Sequence, residues 1–238
     1  MSLEIYHRVR SFLRHRQAAS TVEFAFLVPV ILLLLLMGFE TGRYVLATQR
    51  IQEVANSVAE MLTQTAAAST PPATSPTGAG YVQDSDLHFF YDSAMATYPD
   101  VLAAANNTGT YWWQLLTVQM TSIYFNANPT SCTSNCTYKP EVVWTTGARS
   151  CGLTFTAVSD TSPYSPSTLP TDVYPTAAPG SLIVVDVFYT FTPTFGAAYL
   201  PSISIERSAY MAPRNVSVVE SHATSMAPQC PGLAFPAS

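Results

Sequence analysis

One stretch limits the N-terminal part of this chain more than any other: sixteen residues, Phe24 to Phe39, contain no charged side chain. Counted back to Ala18, the segment has twenty-two residues and includes one carboxylate, Glu23. Because a helix rises about 1.5 Å per residue, about twenty residues cross the hydrocarbon core of a bilayer. The segment therefore predicts a membrane-spanning helix with Glu23 near one membrane face, and Pro29 is expected to kink or loosen it.

The charge changes sign across this segment. Residues 19–238 contain 6 basic and 14 acidic residues, a net charge of −8 (6 − 14), whereas four arginines precede the apolar run: Arg8, Arg10, Arg14 and Arg16. By the positive-inside rule, this predicts a single-pass membrane protein whose N-terminus stays in the cytoplasm and whose remaining chain is exported. The acidic bulk of the chain argues against a nucleic-acid partner.

The residues alone leave three interpretations of positions 1–40. A secretory signal peptide fits the basic and apolar regions, but Glu40 and Arg43 stand where small residues are expected at the cut. An uncleaved anchor explains the orientation and gives Glu23 no role, although a carboxylate within a membrane segment costs up to about 3 kcal/mol and usually marks function. A prepilin-type signal, cut before a retained apolar helix, accounts for all of these features.

Residues 18–43, AASTVEFAFLVPVILLLLLMGFETGR, resemble the N-terminus of TadE-like proteins, pseudopilin-type components of the Tad (Flp-type) pilus assembly system. That family has small residues before a Glu followed by Phe or Tyr, and then a Leu-rich run. Residues 188–214, FYTFTPTFGAAYLPSISIERSAYMAPR, resemble the C-terminal hairpin of the same family. The resemblance covers residues 18–64 and 182–214, and the middle of the chain is less diagnostic.

The resemblance implies a processing site and a packing device. The cut would fall between Ala18 and Ala19, where the family usually has Gly before the cut. Glu23, followed by Phe24, would then be the fifth residue of the mature chain. In pilin-like assemblies such a Glu pairs with the new α-amine of a neighbouring subunit, and breaking such a pair in a low dielectric strands one charge. The implied partners are a prepilin peptidase, the major pilin and other pseudopilins, an inner-membrane assembly platform with its ATPase, and membrane lipid.

Helical periodicity continues beyond the apolar run. Apolar residues recur at steps of three and four at Ile51, Val54, Val58 and Leu62, which predicts one unbroken helix to about Gln64. The predicted organisation is a basic leader (1–18), a transmembrane and extended helix (19–64), a linker rich in Pro and small residues (65–80) and an exported domain (81–238).

The exported domain is predicted to be α+β, with an antiparallel sheet behind the long helix, as in a pilin. Residues 84–106 predict a helix with Asp84 or Ser85 as its N-cap. Alternating or β-branched sequences predict strands within residues 115–125, 139–147, 181–193 and 202–213. In the first of these strands, Val118, Met120, Ser122 and Tyr124 are expected to share one face.

Four cysteines all follow the apolar run, at Cys132, Cys136, Cys151 and Cys230. An even number on the exported side predicts two disulfides with three possible connectivities. A zinc site is the alternative, because three residues separate Cys132 from Cys136, but no histidine closely flanks the other two cysteines.

No sequence motif of a catalytic, nucleotide or cofactor site is present, so we expect neither an enzyme nor a cofactor. His88 lies among Asp84, Asp86 and Asp92, but acids at a helix N-terminus explain that cluster better than a metal does. The aromatic residues 111–114, YWWQ, are interpreted as core, with a ligand-binding patch as the alternative. A membrane-anchored, adhesin-like binding module and a generic periplasmic anchored protein are the competing functions.

Overall fold

The computed structural model describes residues 16–69, 78–128, 137–147, 158–159, 180–195, 201–227 and 230. The chain divides into two compact units. The first unit consists of Met1–Ala47 with Phe191–Ser202, and the second of Thr48–Thr190 with Ile203–Ser238. The long N-terminal helix is therefore divided between the two units at Ala47, and each unit also contains residues from the C-terminal half of the chain.

The long helix, α1, extends from Arg16 to Thr63 and has 48 residues. It continues through Pro29, which removes one backbone donor without ending the helix. The predicted end near Gln64 is correct to one residue. At the standard rise, a helix of this length measures about 72 Å.

In the first unit, α1 exposes its apolar side chains. Most large apolar residues between Val22 and Leu46 are exposed, from 41% at Leu36 to 74% at Phe26, whereas Val28 and Tyr44 are half-buried. A surface of this kind has no polar side on which the helix could face water, because the run from Phe24 to Phe39 has no charged residue. This half of α1 therefore has the surface of a helix that lipid or neighbouring apolar helices cover.

In the second unit, the continuation of α1 is amphipathic. Ile51, Val54, Val58 and Leu62 are fully buried, which confirms the predicted apolar stripe. Full burial of such a side chain stabilises the fold by about 1.5–3 kcal/mol relative to exposure. This part of the helix therefore belongs to the core of the α+β domain, where two small residues, Ala55 and Ala59, complete its buried face.

The sheet of the domain has five strands in the order β4-β3-β2-β5-β6. The central strand β2 pairs antiparallel with both β3 and β5, and β3 pairs antiparallel with β4. The prediction of an α+β fold with an antiparallel sheet is confirmed. The bounds are Leu116–Asn128 for β2, Thr137–Thr145 for β3, Val158–Ser159 for β4, Ser181–Phe191 for β5 and Ile203–Met211 for β6.

Two further strands, which the sequence did not predict, form a separate parallel pair. They are β1, Gly80–Val82, and β7, Val219–Ser221. Trp144 of β3 is fully buried and donates its indole N–H to the carbonyl of Val219, at 2.8 Å. This bond connects the parallel pair to the larger sheet and satisfies the polar atom of a buried aromatic residue.

The predicted one-sided burial of β2 is only partly correct. Val118, Met120, Ser122 and Tyr124 are buried as expected, but Thr121 and Ile123 of the opposite face are buried as well, at 0% and 5% exposure. The register with β3 shifts between Ser122 and Ile123. The middle of the strand is therefore covered on both faces, and strict alternation does not extend through it.

The predicted helix over residues 84–106 is two helices, α2 (Asp84–Thr97) and α3 (Asp100–Thr108). Pro99 disfavours helical backbone at the residue before it, and Tyr98 has φ −129° and ψ 74°. The N-cap of α2 is Gln83 rather than Asp84 or Ser85, and its N–H donates to Asp86 Oδ2 at 2.9 Å. A short helix, α4 (Trp112–Leu115), follows directly before β2.

Candidate membrane anchor and its boundary

The segment Ser20–Thr63 is long and apolar enough to cross a membrane, judged by its length and composition. It is the one such helix among the described residues, and no residue of its most apolar window is buried within the protein. A single N-terminal helix of this kind fits a single-pass membrane protein.

Glu23 is exposed within the apolar surface of the first unit. Across the described parts of the chain, no hydrogen bond or ion pair engages its carboxylate. Phe24, the next residue, is 65% exposed. The predicted roles of both residues in packing against another molecule stay predictions. So does cleavage between Ala18 and Ala19, which lie in the first turn of α1.

At the end of the uncharged run, residues of α1 contact the segment after β5, which the sequence did not predict. Glu40 Oε1 accepts hydrogen bonds from the backbone N–H groups of Thr194 and Phe195, at 2.9 and 2.8 Å. Arg43 pairs with Glu40 Oε2 at 3.1 Å and also bonds the hydroxyl of Thr194. The carboxylate is thus held by one cation and two amides, which satisfies a charge whose side chain is only 12% exposed.

Aromatic rings surround this set of contacts. Phe39 meets Phe195 edge to face, with ring centroids 6.0 Å apart. Tyr44 meets Phe191 in the same way at 5.6 Å, and the guanidinium of Arg43 lies 5.5 Å from the centroid of the Phe191 ring. We call Phe39, Glu40 and Arg43 with Thr194 and Phe195 the boundary clamp. Its one sequence signal was the carboxylate directly after the apolar run.

The cysteine predictions fall mostly outside the described residues. Cys230 is disulfide-bonded, and its backbone N–H donates to the carbonyl of Val143 at 2.7 Å. Cys132, Cys136 and Cys151 lie outside the described part of the chain. The connectivity of the two predicted disulfides therefore stays a prediction.

The acids near His88 have structural partners. Asp84 accepts hydrogen bonds from the backbone N–H groups of Thr224 and Met226, each at 3.0 Å. These bonds favour the ionised carboxylate and lower the pKa of Asp84 from 3.8 to about 2. Among the described residues, no group of three or more His, Cys, Asp or Glu side chains is arranged to hold a metal ion. Asp84 therefore fastens the segment 224–226 to the start of α2.

The interpretation of YWWQ as core is wrong: three of its residues are exposed and Trp112 is only half-buried. Tyr111 and Trp113 are 62% and 47% exposed and stack on each other, with centroids 4.5 Å apart and planes 5° apart. Trp112 between them turns inward and packs against Tyr91 at 5.2 Å. Consecutive aromatic residues on a short helix face different directions, so they cannot all enter one core.

Comparison with known proteins gives one match. Residues 18–60 match the family model described as TadE-like protein. No curated protein and no solved structure matches the chain. The match ends at residue 60, so the similarity of residues 182–214 to the C-terminal hairpin of the family stays a prediction. Over residues 18–60, which include the exposed half of α1, Glu23 and most of the buried stripe, the predicted resemblance is confirmed: this segment is TadE-like.

Proposed function

We propose that this chain is a membrane-anchored, pseudopilin-like structural subunit that supports assembly of a Tad-type pilus. The observation that carries the proposal is the two-part character of α1 within the TadE-like segment. One unbroken helix exposes apolar side chains along Val22–Leu46 and then buries Ile51, Val54, Val58 and Leu62 in an α+β domain. The apolar half is long enough to span a bilayer, and the amphipathic half belongs to the core of a folded domain.

In this proposal, a prepilin peptidase cuts between Ala18 and Ala19 and leaves α1 in the membrane. The cut creates an α-amine, which is positively charged near neutral pH. Glu23, four residues further along, is exposed in the apolar surface and would pair with the amine of a neighbouring subunit. The pair sets the register between adjacent helices because a helix that is out of register leaves both charges unpaired in lipid.

The proposed location follows from the same segment. The basic leader stays in the cytoplasm, α1 spans the inner membrane, and the acidic domain lies in the periplasm, from which it could be incorporated into an extracellular pilus. The proposed partners are the prepilin peptidase, the major pilin and other pseudopilins, the inner-membrane assembly platform and membrane lipid. We propose no enzymatic activity, no cofactor and no nucleic-acid partner.

The test is complementation of a strain from which this chain has been deleted, a strain that we expect to lack pili. We expect the wild-type chain to restore pili, and Glu23→Ala to reach the membrane at a normal level yet restore few or none. Glu53→Ala is the matched control, because Glu53 is also an exposed acid of α1 but pairs with Arg50 of the same chain. Normal pilus numbers with Glu23→Ala would contradict the role given to this residue. Normal pili in the strain without the chain would contradict the function itself.

A second candidate function is a membrane-anchored, adhesin-like binding module. The exposed stack of Tyr111 and Trp113 favours it, because such aromatic pairs are typical of ligand-binding surfaces. The double substitution Tyr111→Ser with Trp113→Ser distinguishes the two functions. If the chain is a binding module, this variant loses adhesion and deletion of the chain leaves pili intact. If it is an assembly subunit, deletion removes the pili and the double variant retains them.

A further inference from the structure

The boundary clamp places a second part of the chain at the end of the membrane segment. Phe39 is the last residue of the uncharged run, and the ring of Phe195 lies 6.0 Å from its ring. Phe195 belongs to the connection that follows β5. It lies 155 residues further along the chain than Glu40. A residue distant in sequence is thus fixed at the level where the apolar surface of α1 ends.

Glu40 holds this connection in place through its main chain. The N–H groups of Thr194 and Phe195 both donate to one carboxylate oxygen, and Arg43 bonds the other oxygen. Charge-assisted hydrogen bonds of this kind are among the strongest in proteins, and they fix the backbone rather than a rotatable side chain. The position of Phe195 along α1 is therefore set by the fold and does not depend on its own side-chain contacts.

The aromatic pair that results is not covered by the protein. Phe195 is 45% exposed and Phe39 is 57% exposed. Their exposed surface continues the apolar surface of α1, where Leu35, Leu36 and Met37 are also exposed. Aromatic side chains are enriched where a membrane helix leaves the hydrocarbon, because the ring tolerates both the apolar core and the headgroup region.

We infer that Phe195 is a second membrane contact, which Glu40 holds in the interfacial region of the bilayer on the exported side, beside Phe39. The exported domain is then attached to the membrane by two elements, α1 and the connection after β5. This inference rests on the proposed membrane anchoring and adds to it a lipid contact from the C-terminal half of the chain.

The test uses a photoreactive benzoylphenylalanine, introduced one position at a time into the full-length chain in vesicles of phosphatidylethanolamine and phosphatidylglycerol. Position 195 is compared with Leu34, an exposed residue of the apolar run, and with Phe89, an aromatic residue of α2 that is more exposed than Phe195. We expect lipid adducts at positions 195 and 34, several-fold above the yield at 89.

The outcomes separate this inference from the function on which it rests. The inference alone would be overturned if position 34 formed lipid adducts while position 195 gave no higher yield than position 89. It would also be overturned if position 195 formed adducts to protein instead of lipid. No lipid adducts at 34 would overturn the membrane anchoring and the inference with it.

A second experiment tests the role given to Glu40. Glu40→Ala removes the acceptor of both amides, so we expect it to lower the lipid adduct yield at 195 several-fold and to leave the yield at 34 unchanged. Glu40→Gln keeps a side-chain oxygen and should retain most of the yield at 195. Equal yields at 195 for Glu40→Ala and the wild type would overturn the claim that Glu40 holds Phe195 at the bilayer.

Discussion

The two halves of α1 have the same backbone conformation but opposite relations to their surroundings. Between Val22 and Leu46 most large apolar side chains are exposed, whereas Ile51, Val54, Val58 and Leu62 have no exposed surface at all. The second half buries its apolar face in its own chain and keeps polar residues on the other side. The described parts of the chain leave most apolar side chains of the first half uncovered. The difference shows that an apolar composition alone does not place a helix in a protein core. A helix that packs on a core has an apolar face and, opposite to it, a polar face.

The charges of the two halves support this comparison. The first half has no charged residue from Phe24 to Phe39, so no orientation of the helix would place a polar face in water. The second half carries Arg50 and Glu53 on its exposed side, 2.7 Å apart, and both side chains are 56% exposed. An exposed pair of this kind contributes about 0.5 kcal/mol or less, so it serves solubility more than stability.

The largest expected effect comes from making the same substitution in both halves. Leu62→Ala removes a fully buried side chain, so the free energy of unfolding of the domain should fall by about 2–5 kcal/mol. Leu34→Ala, at a position that is 62% exposed, should change it by less than about 0.5 kcal/mol. Urea unfolding of the detergent-solubilised protein, followed by tryptophan fluorescence, measures both. Equal losses would mean that the first half of α1 is also part of a protein core.

An introduced charge should affect the first half of α1 more than the second. Leu34→Lys places an ammonium group in the middle of the apolar run, which disfavours membrane insertion by about 3 kcal/mol. Asn56→Lys adds the same charge on the exposed side of the second half and should leave membrane insertion unchanged. Extraction of membranes at high pH, followed by the fraction of chain that stays with the pellet, measures insertion. Similar pellet fractions for the two variants would contradict the division of α1 into a lipid-facing and a domain-facing half.

The smallest expected effect is a loss of local stability in the α+β domain at acidic pH. Because the pKa of Asp84 is lowered to about 2 in the folded protein, the stabilisation that it provides is present above its ordinary pKa of 3.8. This stabilisation is lost as the pH falls toward 2, since the protonated carboxyl no longer attracts the N–H groups of Thr224 and Met226.

Hydrogen exchange of the amides of residues 224–226 measures this effect. The wild type should show protection at neutral pH that declines between about pH 4 and 2. Asp84→Asn should show weak protection at both ends of that range. A decline of the same size in Asp84→Asn would assign the acid sensitivity to other carboxylates of the domain.

The sequence predicted the parts of the fold that depend on local pattern. The stripe at Ile51, Val54, Val58 and Leu62 gave the helix and its buried face, and β-branched runs such as residues 181–193 gave the long strands. The break of the helix at Tyr98 follows from Pro99, which restricts the residue before it, whereas the apolar pattern on both sides of the break predicts one continuous helix.

The remaining features depend on residues that are far apart in the chain. The pairing of Gly80 with Val219 joins two three-residue strands, which are too short to leave an alternation pattern. The boundary clamp joins Glu40 to a backbone N–H 154 residues away, and a backbone donor has no sequence signature. For the candidate site, therefore, Glu23 and the apolar run could be found from the sequence, whereas the role of Phe195 required the structure.

The most direct test of the account is the N-terminus of the mature chain, purified from membranes and determined by intact mass and N-terminal peptide sequencing. The account predicts a chain that starts at Ala19, retains the whole apolar run and has Glu23 as its fifth residue. A start at Met1 or Ser2 would contradict prepilin-type processing and leave an uncleaved anchored domain. A start beyond residue 40 would contradict the central claim itself, because the exposed half of α1 would then be a discarded signal peptide.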